Sequence, residues 1–428
     1  MDIKKFLHLV ISLAIFLFAL NYFFVSIKLL GAFKDIGLLH GKDYILMLAE
    51  NPFLALLIGI LITCTIQSSS TTTSIVVGLV GSFAFGEDIG QAVKIAIPFV
   101  MGANIGTSIT NVLVSLGHIG NKVEFERAYS CSIVHDFFNL LTVAVIFPIQ
   151  LMTNFLGKLS IFMAETFSAM GGLKFVSPLK YLVKPQASFF ISLFKNEFTI
   201  DVTMIFLLVT AFLFIAKFLI SRMIVQKKTN LLLFITSILF AFIFGFAKHY
   251  SDFLFNRYLA QFGFALFMLF AMLIIIVKVM KTSLLKHVEG LFHKYIFKTA
   301  LRSLFLGLIL TALMQSSSAT TSLLVPLAGA GILNIYQIYP FTLGANCGTT
   351  ITAILAALSV GQVNAVAVAF SHLIFNVVGI AIFWPLQRIP IFMAQKFAKL
   401  CMINRAIPVL AILFMYFILP MILILIFR

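Results

Sequence analysis

Apolar residues run through this chain in blocks of about twenty, the length a bilayer-crossing helix needs, and short polar or basic stretches separate them. Such blocks fall near 6–29, 94–116, 129–152, 203–224, 231–248, 259–280, 339–360, 364–385 and 405–427, and each predicts a spanning helix. Two further apolar stretches, 52–81 and 300–330, break the pattern with a polar centre. Their flanks are too short to cross singly, so each predicts a helical hairpin that enters the membrane and turns back. The stretch 155–200 reads as a long outer loop.

The two polar centres are copies of one another. Gln67-Ser68-Ser69-Ser70 lies in TCTIQSSSTTTSIVVGLVG and Gln315-Ser316-Ser317-Ser318 in TALMQSSSATTSLLVPLAG, with eleven of nineteen positions identical between Thr63–Gly81 and Thr311–Gly329. Unpaired polar groups in hydrocarbon cost several kcal/mol each. Such a cluster must therefore face a cavity, a ligand or another helix. The duplication extends further: VMGANIGTSIT is echoed by TLGANCGTTIT, and SIVHDFFN by AFSHLIFN, in the same order.

Composition fits a membrane protein. Hydrophobic residues make up 61% of the 428 positions and charged residues 10%, with mean hydropathy +1.12; soluble domains carry about 25% charged residues. The net charge of +16 does not imply nucleic-acid binding, because the basic residues sit in loops between apolar spans, where cytoplasmic loops collect them. Adhesion to the lipid bilayer's anionic headgroups follows instead. Cys64, Cys131, Cys347 and Cys401 show neither disulfide nor metal-ligand spacing. Lys4-Lys5 and the long apolar run after them read as a first spanning helix, not a cleaved leader.

The clusters Lys217–Lys228, Lys278–Arg302 and Arg388–Arg405 fall on one side of this nine-span scheme together with the N-terminus, which makes that side cytoplasmic. Hairpin 52–81 then enters from outside and hairpin 300–330 from inside. The expected fold is an all-α membrane protein of two inverted-topology repeats, each with a re-entrant or broken QSSS helix hairpin. Residues 1–155 form the first repeat, 156–258 an outer loop and connecting helices, and 259–428 the second repeat plus a C-terminal helix. Secondary transporters of this build hold substrate near the bilayer midplane.

At the hairpin tips, serine favours capping over continuing a helix, so the arm after Ser70 or Ser318 is expected to begin with free N–H groups and a positive dipole end. Gln67, Ser68, Ser69, Ser70, Gln315, Ser316, Ser317 and Ser318 together can surround a small oxyanion without any cationic side chain. Small hydroxyl residues also fasten membrane helices, but duplication favours the ligand. The spacing of three puts Asn104, Thr107 and Thr110 on one helix face, and Asn346, Thr349 and Thr352 on another. With Gly102, Gly106, Gly344 and Gly348 beside them, they suit either a sodium ion held by amide, hydroxyl and carbonyl oxygens or close helix packing. His135 and His372 each precede an asparagine at i+4 (Asn139, Asn376), so a local structural bond explains them. Asp136 has no counterpart, Leu373 occupying the matching place; it holds a cation or proton if it faces a cavity. Glu87 and Asp88 fall in an outer turn facing solvent.

These residues resemble the type II sodium–phosphate cotransporter family. The resemblance rests on both QSSS stretches, on GANIGTSIT and GANCGTTITAILAAL, and on EFERAYSCSIVHDFFNLLTVAVIFP (Glu124 to Pro148), and it spans roughly 50–155 and 300–390. It implies sodium-driven symport of inorganic phosphate by alternating access at the cytoplasmic membrane, in a bacterial-type member. Substrate is then expected at the paired QSSS tips, and sodium at Gln315, Ser316, Ser317, Thr349 and Thr352. No cofactor is implied beyond Na+ as the coupling ion. The stretch 155–200 contains no cysteine, unlike the outer loop of animal members.

Two other classes compete. An intramembrane serine hydrolase would pair Ser68 or a neighbour with His135 or His372, but it needs one nucleophile and one base, and this chain has two equivalent serine clusters and no G-x-S-x-G turn. A cotransporter or pore for another small anion would use the same donors, so the choice of phosphate comes from the resemblance.

Overall fold

The computed structural model describes residues 3–29, 51–107, 109–172, 177–193, 200–203, scattered positions of 263–275, 299–404 and 406–427. Among these no strand occurs. The helices are α1 (Ile3–Leu29), α2 (Pro52–Ile66), α3 (Ser69–Gly81), α4 (Ile89–Gly106), α5 (Ile109–Ser115), α6 (Lys122–Thr153), α7 (Phe155–Ala169) and α8 (Ser177–Leu193). After the gap come α9 (Ala300–Met314), α10 (Ser317–Ser322), α11 (Leu324–Gly329), α12 (Ile335–Val360), α13 (Val363–Phe383), α14 (Arg388–Cys401), α15 (Ala406–Leu413) and α16 (Leu419–Phe427). A π turn, Phe414–Ile418, joins the last two. The spans expected at 203–224 and 231–248, and most of 259–280, lie outside the described residues.

Among the described residues, five segments are long and apolar enough to cross a membrane: Ile89–His118, Lys122–Thr153, Ile335–Val360, Val363–Phe383 and Ala406–Phe427. The hairpin arms α2, α3 and α9 have 15, 13 and 15 residues. At 1.5 Å per residue they reach only about 20 Å, short of the ~30 Å hydrocarbon core. Local signals set the ends. Asn51 caps α2 through Phe53 N–H at 3.0 Å, with Pro52 at the first position. Asn334 and Gln337 exchange side-chain bonds of 3.0 Å as a capping box on α12.

Part of 155–200 differs from the expected outer loop. It holds α7, which packs on α13 and buries Leu156, Ser160 and Ala164, and α8, which packs on α1. The buried stripe of α7 carries one large apolar residue among small ones, so the stretch lacked the continuous hydropathy by which spans are recognised.

Matching helices pack in matching ways. A side chain at Gly59 would strike the carbonyl of Phe99, at Gly102 that of Leu56 and at Gly106 that of Ile60; in the second half Gly307 meets Phe341, Gly344 meets Leu304 and Gly348 meets Leu308. Glycine at these sites lets α2 lie directly on α4, and α9 on α12. The second arm of each hairpin packs on its own half and also reaches the other. α3 packs on α12 and α13, while α10 packs on α5, and α11 on α5 and α6.

Two cavities mark the ends of α6. Pro52, Gln91, Lys94 and Gln150 line one; Val123, Arg127, Gly331 and Asn334 line the other. The matching helices α4 and α12 therefore begin near opposite ends of α6. Gly81, where the first hairpin ends, sits against Val360 at the C-terminal end of α12.

Candidate functional site

The two hairpins turn by the same device. Gln67 (φ 59°, ψ 29°) and Gln315 (φ 54°, ψ 24°) both adopt the left-handed conformation, uncommon for residues other than glycine. Ser68 and Ser316 then cap the returning arms, accepting from Thr71 N–H and Ala319 N–H at 3.2 Å each. The second arms begin at Ser69 and Ser317, earlier than the expected start after Ser70 or Ser318, because the first serine of each triplet is already the cap. The N–H groups of Ser69, Ser70, Ser317 and Ser318 precede the first intrahelical bonds, Thr72 N–H to Ser68 O and Thr320 N–H to Ser316 O, at 3.1 Å each.

The tip serines sit deep. Ser69, Ser70, Ser317, Ser318 and Gln315 are buried, Ser68 and Ser316 are half-buried, and Gln67 is exposed. Several buried oxygens have no protein partner: Ser70 Oγ, Thr73 Oγ1 and Ser74 Oγ on α3, Thr311 Oγ1 on α9, Gln315 Oε1 at the second turn, and Thr352 Oγ1 on α12. Such groups cost roughly 1–3 kcal/mol each if nothing meets them. Thr73, Ser74 and Thr311 were not singled out from sequence, although their signal was present: Ser70, Thr73 and Ser74 stand at i, i+3 and i+4.

The second turn docks on the first half. Ser318 Oγ donates to Thr107 O at 3.1 Å, and Asn111 Nδ2 donates to Thr321 Oγ1 at 2.9 Å. α4 ends at Gly106 and α5 resumes at Ile109, whereas α12 runs unbroken through Asn346, Thr349 and Thr352. The glycines of both motifs lie where the neighbouring hairpin arm approaches, Gly102 and Gly106 on α2 and Gly344 and Gly348 on α9. Thr107 and Thr349 hydroxyls donate back to Ala103 O (2.9 Å) and Ala345 O (3.1 Å), leaving their lone pairs as acceptors. The Thr110 side chain lies outside the described residues.

The histidine rings bond across the halves, while the expected local bond is present at His372, whose carbonyl oxygen accepts from Asn376 Nδ2 at 2.9 Å. His135 Nε2 contacts Asn346 Oδ1, and His372 Nε2 contacts Asn104 Oδ1 at 3.0 Å. Asn346 Nδ2 donates to Asn139 Oδ1 at 2.8 Å, and Asn139 Nδ2 to Asn104 O at 2.7 Å. Both histidines are fully buried. With amide oxygens as acceptors, each ring carries its proton on Nε2. Neither ring is hydrogen-bonded to a serine, so neither forms a serine–histidine pair. Asp136 lines an apolar cavity of about 170 Å³ with Tyr129 and Tyr416. Asp88 caps α4 through Gln91 N–H at 2.7 Å, and both it and Glu87 are exposed. Among the described residues no cluster of three His, Cys, Asp or Glu could hold a metal ion.

These elements define a helical membrane protein whose two related halves meet through the returning arms of their polar turns and a shared amide–imidazole core. The chain belongs to the Na+/Pi-cotransporter family, which matches residues 15–174 and 266–416. It is 32% identical over 448 residues to human sodium-dependent phosphate transport protein 2B, covering 95% of this chain and 64% of that protein. Rat sodium-dependent phosphate transport protein 2A is 32% identical over 397 residues, covering 87% of this chain and 60% of that protein. The chain thus spans less than two thirds of the length of these relatives. No solved structure matches it.

Proposed function

We propose that this protein is a sodium-coupled symporter of inorganic phosphate that works by alternating access in a cytoplasmic membrane, its N-terminus in the cytoplasm. Family membership and the names of its relatives support the solutes. The observation that carries the reading is the pair of matching left-handed turns whose returning arms also pack on the opposite half and hold buried oxygens with no protein partner.

In this reading the halves are inverted repeats and each hairpin is re-entrant. The starts of α4 and α12 near opposite ends of α6 support the inversion. The short arms, with Pro52 and Gly81 each near the same membrane face, support re-entry. Phosphate lies between the tips, its oxygens accepting from the N–H and hydroxyl groups of Ser69, Ser70, Ser317 and Ser318, with Gln67 and Ser68 at the rim. The helix N-terminus of α3 adds a positive dipole end. Sodium lies on the second-repeat side, taking Gln315 Oε1, Thr352 Oγ1 and the oxygens of Ser316, Ser317 and Thr349. Asn104 and Asn346, already bonded across the halves, keep the two ligand-bearing helices in register. Sodium neutralises charge beside the anion, so each ion raises the other's affinity. Its site and the anion site share Ser317, which is the physical basis of coupling.

Labelled phosphate uptake into proteoliposomes, with and without an inward sodium gradient, tests this. Accumulation that requires the gradient and is reduced by Ser317→Ala and by Thr349→Ala is expected. Gradient-independent equilibration would make the protein a pore, and sulfate competing better than phosphate would change the substrate.

A further inference from the structure

At the end of α6 away from α4's start, a cavity of about 580 Å³ opens between α6, the start of α12 and α14. It is polar and carries two cations, Arg127 and Lys399, against one carboxylate, Glu126, with Gln395 and Tyr336 completing the donors. Neither cation pairs with a carboxylate among the described residues. Gly331 (φ +74°) makes room for one of them: a Cβ there would come within 2.5 Å of Arg127 Nη1, so the glycine both turns the chain and lets the guanidinium lie over the turn.

The third wall is an amphipathic helix. α14 buries Ile391, Ala394 and Ala398 against α6. Its other side exposes Phe392 and Leu400 with Arg388, Lys396 and Lys399, and Lys396 Nζ stands 5.4 Å from the centre of the Phe392 ring. A helix with one face on protein and an apolar, basic face outward lies at headgroup depth, its apolar side chains among acyl chains and its cations among phosphates.

We propose that this cavity binds the phosphoryl group of an anionic phospholipid, held between Arg127 and Lys399 while its chains run along Phe392 and Leu400. A guanidinium and an ammonium converging on a polar cavity at headgroup depth are suited to one phosphate oxyanion each side. Free phosphate offers the same oxygens but no acyl chains to cover the exposed face of α14. The site lies apart from the paired turns, and nothing in it depends on what those turns carry.

Native mass spectrometry of the full-length protein titrated with dioleoylphosphatidylglycerol or dioleoylphosphatidylcholine tests the proposal. Preferential retention of phosphatidylglycerol is expected, weakened roughly tenfold to thirtyfold by Arg127→Gln with Lys399→Gln, and unchanged by Lys158→Gln on α7. Should the double variant fail to fold, Glu126→Gln decides, because it must strengthen retention. Added inorganic phosphate separates the sources: lipid retained in its presence assigns the site to the headgroup, and lipid displaced assigns it to a phosphoryl group from either source. Equal retention of the two lipids by the native protein, or an undiminished preference in a folded double variant, overturns the proposal, as does weaker retention in Glu126→Gln.

Discussion

The two hairpins share a sequence and a turn, yet their surroundings have diverged. In the first, Thr63 Oγ1 donates to Thr72 Oγ1 at 2.9 Å and ties the two arms together. In the second, the matching residues do not meet: Thr320 bonds to Ser316 O at 2.8 Å, and Thr311 Oγ1 has no partner. Gln67 is exposed while Gln315 is buried. α3 runs 13 residues unbroken, whereas the second returning arm is interrupted at Leu323, ahead of Pro326 where the first hairpin has Gly78. The second tip is tied instead to the opposite half, through Ser318–Thr107 and Asn111–Thr321. The first has lost its version of that tie, since Ala353 stands where Asn111 would be and Thr73 Oγ1 is left unpaired. Duplication fixes the turn; the neighbours decide which oxygens stay free. The first hairpin is braced internally, and the second keeps an open amide and hydroxyl on its own arm, as a cation site requires.

The sharpest way to break this contrast is to remove the two glutamines. Gln315→Ala should raise the sodium concentration for half-maximal uptake by at least about tenfold, since a buried group that meets an ion is worth more than about 1.4 kcal/mol. Gln67→Ala should change it less than about threefold, and equal effects would erase the asymmetry. Packing tests the symmetric part. Gly102→Ala and Gly344→Ala should each destabilise the protein by about 1–3 kcal/mol through overpacking, read as lowered unfolding temperature in detergent, and by similar amounts. Next comes the cross-half clasp. A double-mutant cycle on His135→Gln and Asn346→Ala should give a coupling of about 0.6–1.7 kcal/mol, and the His372–Asn104 cycle the same sign. The smallest expected effect is from Thr63→Val, about 0.5–1.5 kcal/mol of stability; Thr311→Val should be neutral in stability and show itself only in sodium dependence.

Much of this was legible in the sequence where the chain repeats itself. The polar centres flanked by short apolar arms announced both hairpins to within a residue or two, and the continuous apolar blocks announced α4, α6, α12, α13 and the C-terminal span. Glycines at 102, 106, 344 and 348 left break and packing open, because one residue type serves both; only the neighbouring carbonyls show that all four pack. The local asparagine does bond to His372, through the backbone oxygen, but the partner of each ring lies more than 200 residues away, a pairing that no single-sequence pattern encodes. α7 escaped because its buried stripe includes a serine and an alanine. The asymmetry between the tips was invisible for the same reason that the symmetry was plain: identical letters conceal different neighbours.

The most direct measurement places a cysteine at each tip. In Ser70→Cys and Ser318→Cys proteins reconstituted in vesicles, modification by a small thiol reagent should block uptake, and phosphate with sodium present should slow the modification at both positions, with neither ion sufficient alone. Protection at one tip only, or at neither, would mean that the paired turns do not enclose a common solute.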